Sequence, residues 1–197
     1  MKRLVIASHN TKKRDEIVAL LSGLEIEVLT LADFPGAPEP EETGETYLDN
    51  ALIKARSGAA FTGEWCLADD SGLEIDGLPG ELGVRSARFG GDVSFPTKME
   101  MVLAQLSGQP ESMRAARFRC VIALVRPASS PEEAITFEGI CEGRIAHEIS
   151  GAGGFGYDPI FIPLGYDLTF AELPSSVKSE ISHRARALAQ LRHHLTS

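Results

Sequence analysis

Near its start the chain carries the apolar run Leu4 to Ala7, and residues 3–7 predict a short buried strand. Ser8, His9, Asn10 and Thr11 follow, residue types that cap helices and make turns. Ile17, Leu20, Leu21 and Leu24 then recur at i, i+3, i+4 and i+7, the apolar stripe of a helix. Residues 26–31 predict a second strand, and the Pro-rich stretch 35–40 a loop. From Thr43 the spacing is helical again, with Leu48, Ala51, Leu52, Ala55 and Ala59 on one face and Gly63 at the exit. Residues 65–68 predict a short strand ending on an acidic turn at 69–72. Residues 77–94 are glycine-rich and aperiodic, the pattern of a long functional loop. Met99, Val102, Leu103 and Leu106 mark a third helix, closed by Gly108 and Pro110. Residues 115–126 predict a long strand, 127–133 a turn, and 134–149 an antiparallel return strand with a break at Gly139 or Gly143. A glycine-rich loop at 151–156, an apolar run at 160–162 and a closing helix carrying Ile181, Ala185, Leu188 and Leu191 complete the pattern. Helices alternating with strands, a parallel opening unit and a long hairpin predict an α/β fold with a mixed sheet.

Composition narrows this picture. A chain of 197 residues can bury one sizeable core and reads as a single domain. Its 43% hydrophobic and 24% charged residues are those of a globular protein rather than a disordered one. No apolar run approaches the roughly 20 residues of a membrane span. The N-terminal apolar stretch is too short for a secretory signal, so the cytoplasm is the expected compartment. A net charge of −9 disfavours a nucleic-acid backbone as partner. A small polyanion remains possible where a metal and a few local cations offset the repulsion. Cys66, Cys120 and Cys141 lack zinc spacing and are odd in number, so they read as reduced thiols.

Five segments carry candidate chemistry. At Ser8, His9, Asn10, Thr11, Lys12 and Lys13, a strand turns into a helix whose first N–H groups and dipole suit a phosphate. The glycines of a Walker motif are absent there. Glu41, Glu42 and Glu45 precede the second helix, on which Asn50 and Lys54 share a polar face. Asp69 and Asp70, adjacent at a strand end, repel each other unless a cation or proton relieves them, and Mg²⁺ is the natural cation for hard oxygens near phosphate. Ser71 and Gly72 complete that segment. In Gly153, Gly154, Phe155, Gly156, Tyr157 and Asp158, glycines flank an aromatic ring that could stack on a base. Lys178, Ser182, His183 and Arg184 offer donors suited to the carbonyl edge of a 6-oxopurine. No G-x-S-x-G elbow supports a serine hydrolase.

Read together, SHNTKK, EETGETYLDNALIKA, LADDSGLEIDGLPG, SARFGG, ARFRC, GGFGYDPIF and KSEISHR resemble, in order and over nearly the whole chain, the inosine triphosphate pyrophosphatase family. The resemblance implies an elongated α/β fold with a long mixed sheet and a substrate cleft between two lobes. It implies a Mg²⁺-dependent, typically homodimeric enzyme that cleaves ITP, dITP and XTP to the monophosphate and pyrophosphate. Carried over by position, residues 8–13 hold the triphosphate, with Lys13 at the family's lysine. Glu42 and Asp70 ligand the metal, and Asp70 is also the proton acceptor. Ser71 touches substrate, Phe155 through Asp158 receive the nucleoside, and Lys178, His183 and Arg184 read the purine edge. Two departures stand out: many members have Thr-Gly-Asn where this chain has Ser8-His9-Asn10, and a glycine where it has Lys12. The alternatives are a pyrimidine-preferring pyrophosphatase, against which KSEISHR argues, and a non-catalytic nucleotide sensor, against which Glu42, Asp69 and Asp70 argue.

Overall fold

A computed structural model of the protein describes residues 2–128 and 133–197; residues 129–132 of the predicted turn lie outside the described residues. In chain order the elements are β1 (Arg3–Ile6), α1 (Thr11–Leu21), β2 (Glu27–Thr30), α2 (Tyr47–Thr62), β3 (Trp65–Ile75), α3 (Phe95–Gln105), β4 (Ala115–Val125), β5 (Ile135–Ile145), β6 (Phe161–Pro163), α4 (Ser175–Ile181) and α5 (His183–Thr196). The strands form one sheet in the order β2-β1-β3-β4-β5-β6. β1 pairs in parallel with β2 and β3, and β5 pairs antiparallel with β6, so the sheet is mixed as the pattern predicts. Among the described residues, no helix is long and apolar enough to cross a membrane.

Two compact units can be distinguished, and each has its own core. The first comprises residues 1–70, 120–139 and 184–197. Here the two-residue period of the strands sorts side chains to opposite faces. Leu4, Ile6, Leu67, Ile122 and Leu124 pack with Ile17 and Leu21 of α1 and with Ala187, Leu188 and Leu191 of α5. Val5, Ala7, Cys66, Ala68, Ala123 and Val125 pack on the other face with Ala51, Ala55 and Ala59 of α2. The small residues of α2 let its backbone lie close to the sheet. A Cβ at Gly58 would come 2.8 Å from Ala7 Cβ and 3.1 Å from Cys66 Sγ. Thr46 and Asp49 cap α2 reciprocally, and Gly63 ends it at φ 70°.

The second unit comprises residues 71–119 and 140–183. Its core gathers Leu73 and Ile75 of β3, Met99 and Val102 of α3, Phe118 of β4, and Phe161 and Phe170. The Phe161 ring lies 4.6 Å from Phe118 and 5.3 Å from Phe170. The glycine-rich stretch 77–94 is pinned from within by the buried Lys98, whose ammonium donates to the carbonyls of Ala87 (2.6 Å) and Gly91 (3.0 Å).

The structure corrects several boundaries. The predicted acidic turn at 69–72 is strand: β3 runs without interruption from Trp65 to Ile75. Buried carboxylates argue against a strand interior only when nothing neutralises them, and here they are neutralised, as described below. Gly72 sits in the strand because a Cβ there would collide with the carbonyl oxygen of Gly83. The second helix begins at Tyr47 rather than at Thr43, because the Thr46 cap sets its start. β5 shows no break at Gly139 or Gly143; at Gly143 a side chain would strike the Ile162 backbone of β6. The closing helix is two helices, since Ser182 is extended (φ −65°, ψ 156°) and separates α4 from α5. All three cysteines are free and buried, as expected.

Candidate active site

In the first unit the turn from β1 into α1 forms as the sequence predicts. Asn10 is the N-cap of α1, its side chain accepting from Lys13 N at 3.1 Å. Ser8 Oγ accepts from Asn10 N at 3.3 Å, and His9 Nε2 lies 3.4 Å from the Pro38 carbonyl oxygen. Thr11 and Lys12 are exposed in the first turn of α1. Lys13 is turned inward, its Nζ 3.4 Å from Asp69 Oδ2.

The alternation of β3 separates the two aspartates. Asp69 follows the register of Leu67 and meets residues of α1 and α5. Arg184 donates to its Oδ2 from Nε (3.3 Å) and Nη2 (3.1 Å), and also pairs with Glu16. Cys120 Sγ lies 3.9 Å away. Burial would raise the proton affinity of Asp69, but the charges of Lys13, Arg184 and Lys54 outweigh it and hold the carboxyl far below the usual carboxylate range. On Arg184, burial works against the charge; Asp69 and Glu16 outweigh that cost and push its proton affinity up.

Asp70 follows the register of Ala68 and meets α2. The fully buried Asn50 donates its amide to Asp70 Oδ2 at 3.0 Å and accepts from Gly44 N at 2.8 Å. Lys54 Nζ lies 2.6 Å from Glu42 and 3.7 Å from Asp70 Oδ1, so one ammonium serves both carboxylates. Burial raises the proton affinity of Asp70; Lys54, Lys13 and Asn50 offset this in part, and Glu42 adds to it. Lys54 shows the reverse balance, held above the usual lysine range by Asp69, Asp70 and Glu42 against its own burial. Among the described residues, no group of three or more His, Cys, Asp or Glu side chains gathers as a metal cage.

The second unit builds a separate cluster. Phe155 N and Lys178 Nζ both donate to Asp158 Oδ2, at 2.8 and 2.7 Å. The Lys178 ammonium also sits 4.5 Å from the Phe155 ring centroid, a cation–π contact. Gly154 has φ 68°, and a side chain there would collide with the Asp158 carboxylate. Gly156 has φ 64°. Tyr157 is buried, donates to the Ser86 carbonyl at 2.9 Å and meets Phe95 edge to face. His183 is buried and stacked on Phe118, with ring centroids 4.8 Å apart. Ser71 is half-buried on β3.

Lys13, Glu42, Lys54, Asn50, Asp69, Asp70 and Arg184 therefore gather in the first unit, and Phe155, Tyr157, Asp158, Lys178 and His183 belong to the second. Sequence spacing had placed Asn50 and Lys54 on one polar face without a partner; the partner is Asp70. Glu16 escaped notice, although its i+3 spacing from Lys13 puts both on one face of α1. Arg184, grouped by position with Lys178 and His183, lies instead on Asp69 and Glu16.

Fold and site define an α/β protein with a cluster of carboxylates and lysines gathered from α1, α2 and β3. A sequence profile of the Ham1 family matches residues 4–194, and the chain belongs to that family. A Desulforamulus reducens protein named dITP/XTP pyrophosphatase is 48% identical over 187 residues, covering 94% of this chain and 92% of its own length. A Geobacter sulfurreducens protein of the same name is 46% identical over 196 residues, covering 99% and 97%. The solved structure of a HAM1 protein from Coxiella burnetii superposes with a TM-score of 0.90 at 43% identity, covering 100% of this chain and 99% of that one.

Proposed function

We propose that this protein hydrolyses the noncanonical purine nucleoside triphosphates ITP, dITP and XTP to the nucleoside monophosphate and pyrophosphate, with Mg²⁺ as cofactor. The observation that carries this reading is the Asp70 cluster: a buried carboxylate of raised proton affinity, held by Asn50 and linked through Lys54 to Glu42. The relatives named dITP/XTP pyrophosphatase supply the substrate class.

The residues present fit the metal. Glu42 and Asp70 already converge on one cation, and their oxygens are the hard donors that Mg²⁺ takes, one or two at a time, beside substrate phosphates. Bound there, the ion would neutralise phosphate charge. Asp70 takes the proton of the attacking water, a role favoured by its raised proton affinity. Lys13 and the N–H groups of the first turn of α1, with Ser8, His9, Asn10, Thr11 and Lys12, hold the triphosphate, and Ser71 touches it. Phe155 stacks on the base, Gly156, Tyr157 and Asp158 line the nucleoside, and Lys178 and His183 face the purine edge. Arg184 departs from its positional assignment. Its guanidinium is committed to Asp69 and Glu16, so we assign it to holding Asp69. A cytoplasmic homodimer completes the reading.

A panel of dITP, XTP, ITP, ATP, dTTP and UTP, with and without Mg²⁺ and with pyrophosphate detected, tests it. Adenine presents a donor where a 6-oxopurine accepts, and an unmet buried donor costs about 1–3 kcal/mol. ATP should therefore be poorer than dITP by at least about fivefold. Release of inorganic phosphate and a diphosphate, or preference for dTTP, overturns the proposal.

A further inference from the structure

Asp69 is next to the proposed proton acceptor, yet β3 turns it to the opposite side, toward α1 and α5. It is 2% exposed, and its Oδ2 receives two hydrogen bonds from Arg184 and the Lys13 ammonium. Arg184 closes a ring by pairing with Glu16, which lies one turn beyond Lys13 on α1. Four side chains from three elements are thus linked, three of them meeting at the Asp69 carboxylate.

The two cations are held unequally. The Arg184 side chain is 2% exposed and has two anionic partners. The Lys13 side chain is 17% exposed, and its ion pair among the described residues is with Asp69. Removing the negative charge of Asp69 would leave Arg184 its Glu16 partner and take from Lys13 its ion pair, leaving it only the longer-range attraction of Asp70.

We infer that Asp69 is a positioning residue that acts through Lys13. It holds the ammonium beside the N-terminus of α1 before the substrate arrives, so that triphosphate binding need not order a free lysine chain. Asp70 faces α2 and serves the chemistry; Asp69 faces α1 and serves binding. The inference rests on the assignment of the triphosphate to α1.

The test combines kinetics with a measurement that needs no substrate. Asp69→Asn should raise the KM for dITP about tenfold while kcat stays within about threefold, because the lost interaction acts on binding. Lys13→Met should behave alike, and Asp69→Asn with Lys13→Met should be no worse than Lys13→Met alone, the non-additivity of coupled residues. A fall in kcat with unchanged KM, or additive losses, overturns the inference. Side-chain ¹⁵N relaxation of the Lys13 ammonium in the nucleotide-free wild type tests it even if Asp69→Asn fails to fold. An ammonium more ordered than that of the exposed Lys2 supports it, and equal mobility overturns it. Failure of the wild type to cleave dITP would instead refute the proposed function and leave the relaxation result standing.

Discussion

Asn50 offers the sharpest test of the Asp70 cluster. Its amide oxygen accepts from Gly44 N and its NH₂ donates to Asp70. Asn50→Asp keeps the shape and the acceptor but replaces the donor with a second carboxylate. Two unit charges at the observed 3.0 Å repel by about 5.5 kcal/mol at an effective dielectric of about 20. Protonating an ordinary aspartate at pH 7 costs about 4.2 kcal/mol, about three pH units at 1.36 kcal/mol each. Repulsion wins by about 1.3 kcal/mol, so about nine pairs in ten take up one proton; the Gly44 N–H favours the ionised form at position 50 and leaves that proton on Asp70, which loses the free base. Activity on dITP at pH 7 should fall about tenfold and recover as pH rises by about two units. Asn50→Ala should show no such recovery. It strips a partner from both Gly44 N and Asp70, at a cost of about 1–3 kcal/mol for each buried group left unmet. Initial rates from pH 6 to 9.5 at saturating Mg²⁺, with urea denaturation as the fold control, decide the matter. An Asn50→Asp profile that overlays the wild type would refute the reasoning.

Three further outcomes follow from the same geometry. Asp70→Asn should abolish turnover while raising stability at neutral pH. The raised proton affinity means that the folded state disfavours the ionised form, so the advantage fades as pH falls below the carboxylate range, where wild-type Asp70 is protonated in both states; denaturation at pH 7.5 and pH 3.5 measures it. Glu42→Gln should raise the Mg²⁺ concentration for half-maximal activity at least about tenfold and leave the melting temperature of the metal-free protein nearly unchanged; metal titration of the rate checks it. Gly58→Ala gains about 1 kcal/mol of helix propensity but forces a methyl to 2.8 Å from Ala7 Cβ, an overpacking cost of about 1–3 kcal/mol. The melting temperature should not rise, and a clear increase would show that α2 moves off the sheet easily.

Local pattern determined much of this protein. The two-residue alternation of residues 3–7 sends Leu4 and Ile6 to one layer and Val5 and Ala7 to the other, as a strand covered on both faces requires. Ile17 and Leu21, Ala51, Ala55 and Ala59, Met99, Val102 and Leu106, and Ala185, Leu188 and Leu191 of the predicted helical stripes are buried, whereas Leu48, at the first turn of α2, is exposed. Asn10 and Gly63 mark helix ends by their own chemistry. These features were legible because neighbours a few residues apart create them, and the ordered segments from SHNTKK to KSEISHR point to the family found by comparison.

Tertiary structure alone decided how the charges are matched. Asp-Asp-Ser-Gly is turn-like by composition, yet it continues β3 because Lys13 and Arg184 neutralise one carboxylate while Lys54 and Asn50 receive the other. The family resemblance singles out Lys13 over Lys12, but that Lys13 meets Asp69 follows only from the direction of α1 against the sheet. Arg184 reads as a neighbour of His183 but binds a carboxylate 115 residues away. A sequence displays each charge, whereas the cost of burying it depends on which distant partner the fold brings within about 4 Å.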